Sequence, residues 1–214
     1  MRLPALYPIV DVRGDGADSC DAALALAEEI ASAGVSLLQL RTKHLGAGAM
    51  TALAERIVER TGARVIVNDR ADVAAASGAA GVHLGDEDLP VAAARSVLEA
   101  GGRSGIVGYS THSVAEVIAA GSLAADYLGF GPVFESPTKA GVRDARGIEL
   151  LAQACRAVRL PVVAIGGVTL ENAPACWNAG AASVAVISEI ERSTDRAALV
   201  AAYRAAARSA GLSV

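Results

Sequence analysis

The stretch QLRTK, Gln39 to Lys43, spaces an amide, a guanidinium and an ammonium two residues apart. In an extended strand, side chains two apart share a face, so Gln39, Arg41 and Lys43 all point one way. Such a face is ready for an anion, because a guanidinium fork and a compact ammonium both serve phosphate oxygens. Lysine usage sharpens the point: of 19 basic residues only Lys43 and Lys139 are lysines. Both fall just past predicted strand ends, where an ammonium suits phosphate binding or a Schiff base. Chance placement on exposed loops is the plain alternative.

Carboxylates gather in the same way. VIVNDR ends an apolar run in Asn68 and Asp69, and VHLGDEDLP delivers Asp86, Glu87 and Asp88 one unit later. If successive strands are neighbours, Asp69 and Asp88 approach one point beside Arg41 and Lys43. Hard carboxylate oxygens there suit Mg²⁺, which completes its shell with water and substrate phosphate. Asp88 reads equally as a helix cap for LPVAAARSVL, and both roles can hold at once. Further on, GPVFESPTKAG offers Ser136, Thr138 and Lys139 as hydrogen-bonding groups, or as a plain turn at Pro137. Gly166 and Gly167 close one late strand and Ser188 the last, which matches a phosphate site built from two final loops. A tight turn explains the glycines as well. His44, His83 and His112 lie in or beside predicted strand ends, and a zinc site would need all three to converge from separate units, so zinc is not expected. His83, inside GVHLG, reads as a satisfied mouth or core histidine and not as a base.

These residues need a frame, and the chain supplies one. Apolar runs (ALYPIVD, VSLLQLR, ARVIVND, AGVHLG, GIVGYS, ADYLGFGP, PVVAIGG, ASVAVIS) alternate with alanine-rich stretches of helical period such as DAALALAEEIASAG. Eight β/α units of roughly 25 to 30 residues fill the length and predict an α/β fold, a single (β/α)₈ TIM barrel over residues 1–214. A doubly wound sheet is the alternative, but DVRGDGAD after the first strand lacks the dinucleotide glycine spacing. Ser113 with Glu116 forms a capping box, and Thr169 precedes a further helix. In a barrel, polar residues collecting at C-terminal strand ends mark the chemistry.

Composition bounds the partners. At 214 residues, 53% hydrophobic and 20% charged, the chain can bury one large core. A formal net charge of -4 attracts neither nucleic acid nor an acidic membrane surface, so any bound anion is small and met locally. No leader pattern or membrane-length apolar run appears, and a cytoplasmic protein is expected. Cys20, Cys155 and Cys176 are odd in number and lie on predicted helices, which favours buried thiols over disulfides or metal ligands. A homo-oligomer stays open, because outer apolar patches cannot be told from core in the sequence.

In their order, QLRTK, VNDR, GVHLGDEDLP, GYSTH, GFGPVFESPTK, VVAIGG and VAVIS resemble the thiamine phosphate synthase family from Gln39 to Ser188. The resemblance implies a barrel that joins a hydroxymethylpyrimidine diphosphate to a thiazole phosphate and releases pyrophosphate with Mg²⁺. It implies that Gln39, Arg41, Lys43 and Asn68 hold the pyrimidine diphosphate and that Asp69 and Asp88 hold the metal. Ser110 and Lys139 would contact the departing diphosphate, with Arg41 and Lys43 stabilising its charge. Ser136 and Thr138 would face the thiazole, while Gly167, Ile187 and Ser188 offer backbone donors to its phosphate. Asp86 and Ser136 stand where the family commonly has glutamine and threonine. Glu135 and AGVRDARGIELL resemble the related thiazole tautomerases instead, which tend to lack the paired aspartates. A tautomerase and a non-catalytic phosphate-binding barrel are therefore the alternatives.

Overall fold

Strand periodicity divides every apolar run between two cores. The computed structural model describes residues 2–102, 104–135 and 145–212. Within them the chain runs β1 (Leu6–Val12), α1 (Ala17–Ser32), β2 (Leu37–Thr42), α2 (Ala47–Thr61), β3 (Arg64–Asn68) and α3 (Ala71–Ala76). It continues through β4 (Gly81–Leu84), α4 (Val91–Ala100), β5 (Ile106–Thr111), α5 (Val114–Ala120), β6 (Tyr127–Phe130) and α6 (Gly147–Ala157). It ends with β7 (Val162–Ile165), α7 (Ala173–Asn178), β8 (Ser183–Val186), α8 (Ser188–Arg192) and α9 (Arg196–Ser209). Each strand pairs in parallel with the next, and β8 returns to β1 to close an eight-stranded barrel. The expected (β/α)₈ fold and all eight strand positions are present.

Outward residues such as Val10, Leu38, Leu40, Val67 and Leu128 pack on the helices in one large core. Their inward neighbours Tyr7, Ile9, Leu37, Ile66, Tyr127, Val163 and Ala185 fill the lumen. The helices contribute a single apolar face each, as in Leu53, Ala54 and Ile57 of α2, all essentially unexposed.

Polar latches set the register. Asp126, just before β6, accepts from Val107 N at 2.8 Å and from Arg95 Nη2 at 2.7 Å. At the seam, Trp177 Nε1 donates to Ala5 O at 3.3 Å, which ties α7 to the start of β1. Ser113 caps α5 as expected: its Oγ accepts from Glu116 N at 3.2 Å, and the Glu116 carboxylate returns to His112 N at 2.7 Å.

Two capping expectations are corrected. Asp88 does not cap α4, whose N-cap is Pro90; its carboxylate folds back to accept from Gly85 N at 2.6 Å. Thr169 is separated from α7 by a turn, and Asn172 is the N-cap, its Oδ1 accepting from Thr169 N at 2.8 Å. The three cysteines are free thiols, and burial pushes Cys155 up to about 11 and Cys176 up to about 12. Among the described residues no helix is long and apolar enough to cross a membrane.

Candidate active site

The lumen changes character along its axis. One step above the apolar layer, the inward positions on the first five strands are Asp11, Arg41, Asn68, His83 and Ser110. On β6 to β8 the corresponding face carries Gly129, Ile165 and Ile187. The same period that buries Tyr7 and Ile9 thus lifts Asp11 into the mouth, and that which buries Leu37 lifts Gln39 and Arg41. The result is a cavity of about 980 Å³ at the C-terminal ends of the strands, lined by all of these groups.

Gln39 is almost fully buried, and its Nε2 donates to the Tyr7 hydroxyl at 3.1 Å. Arg41 Nη1 lies 2.5 Å from Asp11 Oδ1, a pairing set by the β1–β2 register that places these two residues side by side. Asp11 also meets Arg13 Nε at 3.3 Å, and Arg13 continues to Glu191 at 2.7 Å. The guanidinium of Arg41 is therefore held by one carboxylate while its remaining N–H groups stay available to the cavity. Lys43 sits just beyond β2 and is exposed.

Asp69 adopts a left-handed backbone, φ 66°, at the end of β3, with its N–H donated to His83 O at 2.8 Å. Aspartate tolerates this region better than most residues, and the turn swings its carboxyl toward the β4 loop. There it interacts with the charge of Asp88. Burial and then the charge of Asp88 push the Asp69 carboxyl up to about 6; Lys43 and Arg41 pull it back down. Of the three acids in the β4 loop, only Asp88 turns inward, and Asp86 and Glu87 are exposed.

Two carboxylates crowded together at the edge of a cationic cluster fit a divalent ion of the hard, oxygen-seeking kind. Among the described residues no group of three His, Cys, Asp or Glu side chains gathers that could hold a metal ion. Asp69 and Asp88 would supply two carboxylate groups to such an ion, with water and phosphate completing its shell.

On the far wall, Gly166 (φ 95°) and Gly167 (φ 62°) turn the β7 loop tightly over β6. A Cβ on Gly166 would lie 2.5 Å from Pro132 Cβ, and one on Gly167 2.3 Å from Glu135 O, so neither position admits a side chain. Gly167, Ile187 and Ser188 all line the cavity beside the start of α8. The structure thus brings Gln39, Arg41, Asn68, Ser110, Gly167, Ile187 and Ser188 onto one cavity; Asp69, Asp88 and Lys43 are not among the residues that line it, and they connect to it through the charge interaction of Asp69 with Arg41. Ser136, Thr138 and Lys139 lie outside the described residues.

Several cavity groups escaped the sequence reading: Tyr7, Asp11, Tyr127 and Glu189. Asp11 carried a usable signal, since it is the inward residue at the end of the first strand. Glu189 did not, because its place depends on Tyr203, whose hydroxyl it accepts from α9, and on Leu170 N at 3.0 Å. His83 is satisfied as expected, bonded through both ring nitrogens, and it also faces the cavity.

A barrel with an anion-ready mouth, paired carboxylates on one side and glycine-bearing last loops on the other is a fold and site for phosphorylated small molecules. Within that class the chain belongs to the thiamine monophosphate synthase family, which residues 6–190 match. It is 42% identical over 207 residues to a thiamine-phosphate synthase of Anaeromyxobacter dehalogenans, covering 96% of this chain and 88% of that one. A thiamine-phosphate synthase of Haloarcula marismortui is 42% identical over 187 residues, 85% of this chain and 87% of that one. Among solved structures, a thiamine phosphate pyrophosphorylase from Pyrococcus furiosus superimposes with a TM-score of 0.80 at 28% identity, covering 96% of each chain. A 3-hexulose-6-phosphate synthase, 20% identical with a TM-score of 0.71 over 95% of this chain and 99% of that one, shares the barrel alone.

Proposed function

We propose that the chain forms thiamine phosphate by joining 4-amino-2-methyl-5-hydroxymethylpyrimidine diphosphate to a (carboxy)hydroxyethylthiazole phosphate, and that Asp69 and Asp88 are the residues that would hold Mg²⁺. The observation that carries this reading is the single cavity onto which Gln39, Arg41, Asn68, Ser110, Gly167, Ile187 and Ser188 converge, with the Asp69 carboxyl raised nearby by burial and the charge of Asp88. It is a place where a diphosphate and a divalent ion neutralise each other. Membership of a family of thiamine-phosphate synthases supports it.

In this reading Gln39 and Asn68 orient the pyrimidine, and Arg41, Lys43 and Lys139 hold its diphosphate. Bound there, Mg²⁺ supplies positive charge to the diphosphate oxygens. The bond between the methylene carbon and the bridging oxygen breaks with both electrons going to the diphosphate, and the ring amino group donates density toward the carbon left behind. Arg41, Lys43, Lys139 and Ser110 stabilise the charge that grows on the leaving group, so no covalent nucleophile is required. Gly167, Ile187 and Ser188 fix the thiazole phosphate by backbone donors, and Ser136 and Thr138 meet its ring. The thiazole nitrogen is then aimed at the cation and captures it with its lone pair. The partners are these two small molecules, and the reaction is placed in the cytoplasm.

The test is direct. Purified chain supplied with both substrates and Mg²⁺ should yield thiamine phosphate and one pyrophosphate per turnover, and chelation should stop it. Glu135, which lines the cavity, favours a tautomerase together with the stretch AGVRDARGIELL. Isomerisation of the thiazole phosphate alone, insensitive to chelation, would establish that activity and displace the synthase reading.

A further inference from the structure

Below the mouth, five side chains from five strands stand in one hydrogen-bonded file. Gln39 Nε2 donates to Tyr7 OH at 3.1 Å, and Tyr7 OH lies 3.0 Å from Tyr127 OH. Tyr127 OH lies 3.0 Å from His83 Nδ1, and His83 Nε2 lies 2.9 Å from Ser110 Oγ. A hydroxyl has one proton to give, a neutral imidazole has one N–H, and an amide nitrogen only donates. The geometry leaves the donor open at both hydroxyls and at His83, and with Gln39 Nε2 as the donor at one end, proton counting selects one direction. Tyr7 accepts from Gln39, so its own proton goes to Tyr127; Tyr127 gives its proton to His83 Nδ1; His83 Nε2–H donates to Ser110. The Ser110 proton has no place inside the file and is left for the cavity that Ser110 lines.

We propose that this one-way file holds Ser110 as a hydrogen-bond donor to the departing diphosphate, which makes His83, Tyr127 and Tyr7 positioning residues for the reaction. The proposal rests on the functional reading above for the identity of the acceptor. A diphosphate only accepts hydrogen bonds, so its presence favours the same direction that Gln39 imposes from the other end. The reverse file would spend the Ser110 proton on His83 and turn only an oxygen lone pair toward an anion.

The surroundings keep every member in the required state. Burial pushes His83 down to about 4, so it is neutral and has one acceptor nitrogen. Burial also holds both phenols well above their ordinary value, so each keeps its proton. Packing fixes the geometry: the His83 and Tyr127 rings stack with centroids 5.4 Å apart and planes at 22°, and Tyr7 meets Tyr127 edge-on at 6.0 Å and 82°. The space comes from glycines on the same inward face. A Cβ on Gly108 would lie 2.2 Å from Tyr127 Cζ and 2.5 Å from His83 Nδ1, and one on Gly129 3.3 Å from His83 Cε1.

Imidazole ¹⁵N NMR of the ligand-free chain near neutral pH, with His83 assigned by loss of its signals in H83N, reads the direction without any activity. The expected result is an Nε2–H tautomer with Nδ1 unprotonated. A dominant Nδ1–H tautomer overturns the proposal. Kinetics test the consequence. Removing a hydrogen bond to a charged group costs about 10- to 100-fold, so Ser110→Ala and Tyr127→Phe should each lower kcat on that scale and leave KM for the thiazole phosphate unchanged. Tyr127→Phe should have little further effect in a Ser110→Ala background, because both act through one proton. Full additivity of the two would sink the positioning role. His83→Gln, whose amide nitrogen reaches the Nε2 position, should retain more kcat than the shorter H83N; equal losses would count against donation from that atom. If the unaltered chain makes no thiamine phosphate, the functional reading fails, and the tautomer still decides the direction of the file.

Discussion

Asp69 concentrates three demands in one residue: a left-handed backbone, a carboxyl that burial and the charge of Asp88 push up, and a favourable interaction with Lys43 and Arg41. Asparagine satisfies the first and the shape of the second, since it too tolerates φ of 66°. Asp69→Asn should therefore fold with a melting temperature close to that of the parent, while turnover falls by about 10²-fold or more, the scale for losing one electrostatic element of a transition state. Near-normal turnover in a steady-state assay would remove Asp69 from the metal site. Arg41 makes a separate demand. It serves Asp11 with one nitrogen and keeps the rest of its fork for the cavity, and a lysine has no fork to divide. Arg41→Lys should lower kcat/KM for the pyrimidine diphosphate by about tenfold or more although the charge is kept. An unchanged value would show that charge alone is used there.

Among the elements, the strands carry the design, because one inward residue per two positions sets both the packing and the chemistry. The layer around Gly108 shows how little slack is left. Gly108→Ala forces a methyl against the Tyr127 and His83 rings and should cost about 1–3 kcal/mol by chemical denaturation, the range for overpacking a filled core. Gly48→Ala, inside α2 with nothing within 4 Å of the added carbon, should instead be neutral or stabilising by up to about 1 kcal/mol. A similar cost at both positions would mean that the lumen is not close-packed. This contrast also explains what could be read before any coordinates. A period of two fixes which residues share a face, so eight strands, the inward pair Gln39 and Arg41, and the mouthward Asn68 follow from spacing alone, whereas Lys43, expected on the same face, lies past the end of β2 and is exposed. Loop paths do not follow: Asp88 looked like a cap for α4 and instead bends back to Gly85 N. Contacts between distant strands were equally hidden, since the Tyr7–Tyr127 bond joins residues 120 apart and depends on the barrel closing in one register.

For the whole molecule, closure of the barrel places its polar strand ends at one mouth, so a chain of net charge -4 can still present a cationic surface locally. In the proposed reading, the Asp69–Asp88 pair links the fold to pH and to the metal. The Asp69 carboxyl is raised from 3.8 to about 6 in the folded chain. As pH rises through that interval, the unfolded chain loses its proton first, so without metal this group makes folding less favourable from about pH 4 to pH 6 and constant above. A divalent cation needs the ionised pair, so its stabilisation runs the other way. Thermal melts with 10 mM MgCl₂, against KCl of equal ionic strength, should show a positive Mg²⁺ shift at pH 7.5 that shrinks as the pH falls through about 6 and is gone near 5. In Asp69→Asn the shift should be small at every pH, because one ligand charge is missing and nothing at that position titrates. A Mg²⁺ shift of equal size at pH 5 and pH 7.5, or one that survives intact in Asp69→Asn, would place the ion elsewhere and leave the Asp69–Asp88 pair as a feature of the fold alone.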